Sequence, residues 1–447
     1  MSFIKIGDFL KRSKIAVDIE DLIEYNRVTI RINHNGVSLR DQEIGNKIGT
    51  KKQFILNAGQ FIVSKIDARY GAFGIAPEEV DGAIITGNFW AYDVDFKRLN
   101  IEWFNQFTNS PDFYDLCERA SSGITHRKYL NENSFLNHEI DLPNVEEQLR
   151  QIEKIKDQKI SFAELSKELF HQLSLVKQLR QQFLQDAMQG KLVEQNSKDE
   201  PASELLKRIK VKKELLIKEK KLKSGKSTEQ SVSLIEEIII PKDWHWCKAD
   251  EIFFITKLAG FEYTEHISLM KIGEIPVIRA QNVRPLNIEK TNLLFIDAKT
   301  SNILDRCSLV KKCLLVTFIG AGIGDVATFD EKERWHLAPN VAKMEPFDGC
   351  ENLVNVKYLN YFLMSSLGQK EIFKHVKATA QPSLSMGTIR DIDFPIPPLS
   401  EQQRIVQKLD ELFQYCNGLE ESIKQSASHN EKLLQQVLRE ALRKEVD

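Results

Sequence analysis

Slid along itself by 254 residues, the chain meets its own likeness without a gap, which means that its fold must be built twice. "LPNVEEQLRQIEKIKD" (142–157) falls on "IPPLSEQQRIVQKLDE" (396–411) within "PIPPLSEQQRIVQKLDELF" (395–413). Pro143 meets Pro397, Glu147 and Gln148 meet Glu401 and Gln402, Arg150 meets Arg404, and Lys154 meets Lys408. Further on, "LRQQFLQDA" (179–187) lies over "LLQQVLREA" (433–441). Upstream, "FIVSKIDARYG" (61–71) lies over "LLVTFIGAGIG" (314–324) at a shift of 253. The plan in each copy is a globular part followed by a helical part.

The helical parts carry a readable apolar seam. Ile405, Leu409, Leu412, Cys416, Leu419 and Ile423 alternate steps of four and three, and Leu433 and Val437 resume the register after polar Ser426 and Asn430. In the first copy Ile155, Phe162, Leu165, Leu169, Val176, Leu179 and Phe183 take equivalent places, with Gln158 and Gln172 as polar interruptions. One such stripe alone reads as a helix packed on its own domain; two in register within one chain predict that the helices pair. Prolines hold the chain extended just before each helix. Asn144 with Glu147 and Ser400 with Gln403 have the form of capping boxes. Gly190 has the place of a C-cap. A helix over 145–188 would run about 60 Å, long enough to hold two domains apart.

A length of 447 residues calls for several cores. The pattern divides them as a first globular domain over 1–143, a first helix over 144–190, a charged helical linker over 191–236, a second globular domain over 237–398 and a second helix over 399–447. The fold class is α+β: two mixed α/β domains joined by two long coiled-coil helices, with an internal pseudo-twofold repeat.

A net charge of −2 excludes a protein that coats nucleic acid by bulk charge and leaves only local basic patches for such contact. The six cysteines form no C-x-x-C pair, and the nine histidines no spaced ligand set, so neither a disulfide framework nor a metal centre is expected. The opening "MSFIKIGDFLKRSKIAVDIE" lacks the apolar core of a secretion signal, and no apolar stretch reaches a membrane span, which reads as cytoplasmic with no membrane partner.

Residues 207–226 carry ten Lys/Arg against two Glu. Such a run is either a nucleic-acid arm or a solvated helix and linker, and the latter is the simpler reading. "GKST" (225–228) is not a phosphate loop, because Lys220 stands where the glycine is needed and no buried strand precedes it. "FIGAGIGDVATF" (318–329) misplaces the third glycine of a dinucleotide fingerprint, and Asp325 to Phe329 read as strand. The glycines fit a turn within a sheet. No H-E-x-x-H, G-x-S-x-G or D/N-P-P-Y/F motif occurs, and no catalytic constellation emerges.

What remains is polar and suited to recognition. "VIRAQNVRPLNIEK" (277–290) interleaves Arg279, Gln281, Asn282 and Arg284 with apolar residues, side chains of the type that pair with guanine and adenine edges. "ATAQPSLSMGTIRD" (378–391) offers Gln381, Ser383, Ser385 and Arg390. Its counterpart "SSGITHRKYLNENS" (121–134) offers Thr125, His126, Arg127, Lys128 and Tyr129, and the 61–71 segment adds Lys65, Arg69 and Tyr70. Any single residue of this kind is more simply a solvated loop residue. The case rests on both copies placing such a loop just ahead of the prolines and helix.

With the proline–E–Q segment twice, each followed by a long helix, the chain resembles the specificity (S) subunit of Type I restriction–modification systems, HsdS. The resemblance is strong over 143–207 and 392–441 and looser elsewhere. It implies a non-enzymatic reader of double-stranded DNA with two target recognition domains, each reading half of a split asymmetric target. The paired helices would act as spacer and dock two methyltransferase (M) subunits, which carry S-adenosylmethionine, while restriction (R) subunits bring ATP and Mg. No cofactor is implied for this chain. By position, 59–71, 121–130, 277–284, 314–325 and 378–387 would form the recognition elements. One departure stands out: the second domain opens with "PKDWHWCKADEIF", whereas "FIKIGDFL" in the first has no such Trp. The alternative is a two-lobed coiled-coil protein–protein scaffold without sequence-specific DNA binding.

Overall fold

The computed structural model describes residues 3–124, 127–222, 239–320, 322–374 and 383–441. It is an α+β chain whose described residues form two compact units. One takes residues up to 170 together with 424–441, and the other the described residues between 171 and 423.

In the first unit a four-stranded antiparallel sheet has the order Leu10–Ser13, Phe89–Val94, Phe61–Ser64, Phe73–Ile75. A second, five-stranded sheet has the order Ala16–Asp18, Lys52–Leu56, Ala83–Ile85, Glu24–Ile30, Val37–Ile44, with a parallel pairing of Arg27 to Ile84. The core is aromatic: Phe61, Phe73, Phe104 and Phe113 are fully buried and meet edge to face, with Phe73 and Phe113 at 4.9 Å.

The second unit repeats this order. Phe253–Lys257, Val341–Pro346, Cys313–Thr317 and Val326–Phe329 form its four-stranded antiparallel sheet. Leu294–Ile296, Ile275–Ile278, Trp335–Leu337 and Ser308–Leu309 form the other, again with one parallel pairing, Val277 to His336. Cys313–Thr317 and Val326–Phe329 pair antiparallel, and the Gly324 N–H returns to the Thr317 carbonyl at 2.9 Å, so the described residues of the glycine-rich segment turn the chain, as its glycines imply. Gly320 and Gly324 sit at φ +107° and +85°, backbone that suits a residue without Cβ.

The missing Trp does not remove the opening strand. Phe3–Lys5 pairs with Glu139–Asp141 as His245–Lys248 pairs with Asp393–Ile396. In the second unit Trp244 donates through Nε1 to Glu401 Oε2 at 3.0 Å.

The long helices are Val145–Met188 and Leu399–Ala441. Asn144 caps the first, its Oδ1 accepting from the Glu147 N–H at 2.9 Å. The first helix ends in a Schellman turn, with Lys191 N–H on the Asp186 carbonyl and Gly190 at φ +67°. Ser400 corrects the sequence reading. The helix already begins at Leu399, with the Gln402 N–H on the Pro398 carbonyl, so Ser400 lies inside the first turn rather than capping it.

The seam residues divide. Ile155, Leu169, Ile405, Leu409 and Cys416 are buried, and Phe162, Leu412 and Ile423 are half-buried. Leu165 and Leu419 depart from the expectation: they are 47% and 51% exposed. In the second unit Leu419 opens onto a groove with Leu175, Leu179 and Ile423, where the facing helices part instead of interlocking. There the Arg180 guanidinium joins the helices by pairing with Glu420 at 2.7 Å and donating to Asn417 at 2.7 Å.

The basic stretch is partly a packed helix. Ala202–Lys218 buries Ala202, Leu205 and Ile209 in the second unit's core, and Lys213 donates to the Asp250 carbonyl at 2.6 Å. The "GKST" segment lies outside the described residues.

Candidate nucleic-acid interface

Each unit docks its polar loop on its hairpin through the same backbone bond. In the first, the Leu130 N–H donates to the Lys65 carbonyl at 2.8 Å; in the second, the Leu384 N–H donates to the Phe318 carbonyl at 2.9 Å. Lys65 and Phe318 are equivalents at the shift of 253, so the two candidate surfaces are built on one pattern. Ser383 also bridges Ile319.

In the first unit Ser121–Ile124 and Arg127–Leu130 make a hairpin, Ser122 opposite Tyr129. Tyr129 and Tyr70 are exposed, and the Arg69 guanidinium stacks 4.6 Å from the Tyr70 ring centre. Lys128 is engaged by Glu118 at 2.5 Å, and this bond, first, holds the Glu118 carboxyl below its ordinary range. Lys65 is half-buried and contributes mainly backbone, its N–H bonding the Asn88 carbonyl. Thr125 and His126 lie outside the described residues, and Arg127 belongs to the second strand of the hairpin.

A neighbour that the sequence reading passed over completes this surface. The hairpin between Glu24–Ile30 and Val37–Ile44 turns at Asn33 and His34, both left-handed at φ +58° and +54°. Its tip is fastened by Asn33 N–H to the Tyr70 carbonyl at 2.7 Å and His34 N–H to that of Gly71 at 3.0 Å. The His34 ring sits 3.0 Å from Thr108 Oγ1, and burial lowers its pKa. Arg31, Ile32, Asn33 and Asn35 are left exposed beside Tyr70. The Asn35–Gly36 pair was the available signal.

In the second unit Gln281 and Arg284 are exposed. Arg284 opposes the effect of burial on Asp325, whose carboxyl burial lifts above its ordinary range. Lys257 lies 4.8 Å over the Phe318 ring, another cation the sequence reading did not single out. Arg279 is half-buried and donates to the Asn292 carbonyl at 2.6 Å. Asn282 departs from expectation. It is 1% exposed, its Oδ1 accepts from the Arg279 N–H and its Nδ2 donates to the Glu289 carbonyl, so it braces the loop and presents nothing outward. Ser385 likewise turns its hydroxyl to the N-terminus of Met386–Arg390, accepting from the Thr388 N–H at 2.9 Å. Gln381 lies outside the described residues. Lys374, buried against Glu371 at 2.9 Å and Asp393 at 3.0 Å, anchors the chain leading towards this loop.

Among the described residues no group of three or more His, Cys, Asp or Glu is placed to share a metal ion, and no helix is long and apolar enough to cross a membrane.

A sequence profile of the Type I restriction modification DNA specificity domain matches residues 241–429. The chain is 29% identical over 260 residues to the Type I restriction enzyme EcoAI specificity subunit of Escherichia coli, covering 57% of this chain and 43% of that protein. It is 22% identical over 365 residues to the EcoBI specificity subunit of Escherichia coli, covering 81% and 69%. The alignment to the first of these spans less than half of that relative's length. The crystal structure of the HsdS subunit from Thermoanaerobacter tengcongensis superimposes with a TM-score of 0.53 at 15% identity, covering 100% of this chain and 97% of that one, a likeness of fold. Over residues 241–429 the chain is thus similar to the specificity domain, and over its whole length it shares the fold of an HsdS subunit.

Proposed function

We propose that the chain is the non-catalytic DNA specificity subunit of a Type I restriction–modification complex and recognises a bipartite, asymmetric double-stranded target. The observation that carries this reading is the repeated docking of a polar loop on a hairpin, Leu130 to Lys65 and Leu384 to Phe318. One surface built twice suits a target read in two parts. Arg69, Tyr70, Lys128 and Tyr129 would face one half, and Arg279, Gln281, Arg284 and Ser383 the other. The globular regions are read as 1–143 and 237–398, the helices over 144–190 and 399–447 as an antiparallel coiled-coil spacer between them, and 191–236 as the link.

Two readers on one arm raise each other's effective concentration, so each can be weak alone and a chain of net charge −2 can still be specific. The spacer helices dock two M subunits, which supply S-adenosylmethionine; R subunits add ATP and Mg, and the assembly works in the cytoplasm. The test is to express the chain with its neighbouring methyltransferase subunit and map methylated adenines across a host genome. A split motif with a fixed gap is expected. Methylation without sequence preference, or none, would favour a protein scaffold.

A further inference from the structure

Both joints between a globular region and its helix share one inner latch. Gln148 Oε1 accepts from the Asn100 N–H at 2.7 Å and its Nε2 donates to the Pro143 carbonyl at 2.8 Å. Gln402 repeats this with the Asn355 N–H at 3.3 Å and the Pro397 carbonyl at 2.9 Å. Asn100 and Asn355 each cap a domain helix, Ile101–Thr108 and Val356–Met364. Nothing in this latch tells one helix from the other.

The outer contacts differ in sign. In the first joint the domain side is acidic: Glu102 pairs with Lys156 at 2.6 Å, and beside it Lys159 donates to Gln106 at 2.8 Å. In the second joint the domain side is basic: Lys357 pairs with Asp410 at 2.7 Å. Lys357 stands in the place of Glu102 and Asp410 in that of Lys156. Buried Tyr361, in the place of Gln106, donates to the same Asp410, and its ring meets Phe413 edge on at 5.4 Å.

We infer that this sign reversal is a recognition device that keeps each domain on its own helix and prevents exchange of domains with a second copy of this chain. Crossed docking would set Lys357 and Tyr361 against Lys156 and Lys159. The phenol would lose its acceptor, and Glu102 would face Asp410. The pairs are 41–59% exposed, so each attracts weakly. Their discrimination comes from the repulsion and the unmatched hydroxyl that the wrong partner brings. A chain with two copies of one plan faces such mispairing whenever it folds near a second copy.

The test uses the full chain diluted from guanidinium at raised protein concentration, with size-exclusion chromatography and light scattering to read the exchanged dimer. Glu102→Lys with Lys156→Asp restores attraction within the joint but gives both joints one polarity. Glu102→Gln with Lys156→Gln removes attraction and repulsion together. The expected order of dimer fraction is wild type lowest, the Gln pair intermediate and the Lys/Asp pair highest, roughly fivefold above wild type, the scale on which one like-charge contact shifts a partition. The inference is overturned if the Lys/Asp pair matches wild type, or if dimer tracks lost melting temperature so that the Gln pair forms more. No DNA enters the assay, so its outcome is independent of the proposed function.

Discussion

Gln148 and Asn100 lie 48 residues apart, and the 2.7 Å bond from the Asn100 N–H to Gln148 Oε1 ties the start of a domain helix to the start of the long helix. Gln148 is fully buried, and its Nε2 also serves the Arg98 and Pro143 carbonyls. Gln148→Ala therefore leaves a buried N–H and two carbonyls short of a partner. The cost is about 1–3 kcal/mol, a fall of several degrees in thermal midpoint. Gln402→Ala breaks fewer and longer bonds and should cost less. Midpoints unchanged from wild type would remove the latch role.

Glu401 gives a pH prediction. Burial lifts its carboxyl above the ordinary range, against the pull of the Gln195 and Trp244 donors and of Arg404. A carboxyl raised in the folded state contributes stability that is complete below its unfolded pKa and is lost as pH rises through its folded pKa. Glu401→Gln cannot ionise, so its stability relative to wild type should improve from the ordinary carboxylate range upwards and level off above the folded pKa. Denaturant titrations of both proteins across that range measure this. A relative stability that falls with rising pH would contradict the assignment.

The joints at 143–148 and 397–402 were legible because each buried Gln binds the carbonyl of a proline five residues earlier, a spacing that tolerates little drift. The sheets were legible only at 61–71 and 314–324, since strand pairing depends on alternation more than on residue identity. The opening strands escaped because Phe3–Lys5 and His245–Lys248 correspond at a shift of 243, and a gapless slide at 254 passes over them. Asn282 was misread for another reason. Its partners are the backbone of residues 279 and 289, and backbone groups leave no mark on sequence. Leu165 and Leu419 show that heptad position sets which face a residue takes, whereas burial also needs a neighbour at that height.

Asn430 is a buried polar residue in the seam of the first unit. Its Nδ2 donates to Ser166 Oγ at 2.8 Å and the Phe162 carbonyl at 3.2 Å, while its Oδ1 meets no donor. Asn430→Leu removes that unmet acceptor, and Ser166 keeps its own bond to Phe162. Stability should hold or rise by about 1 kcal/mol, with register specificity the quantity lost. A drop in the denaturation midpoint would show that the Asn bonds outweigh the unmet acceptor.

The final prediction concerns the tip beside Tyr70. Asn33 sits at φ +58°, so Asn33→Gly deletes the amide without straining the backbone. If Arg31, Asn33 and Tyr70 form one reading surface, Asn33→Gly relaxes base choice in one half-site by roughly tenfold, the lower part of the range for a lost base-edge contact. Arg284→Ala should do the same in the other half-site only. Methylation profiling of cells carrying each variant with the methyltransferase partner reads both halves at once. Relaxation of both halves by either variant would mean that the two surfaces do not read separately.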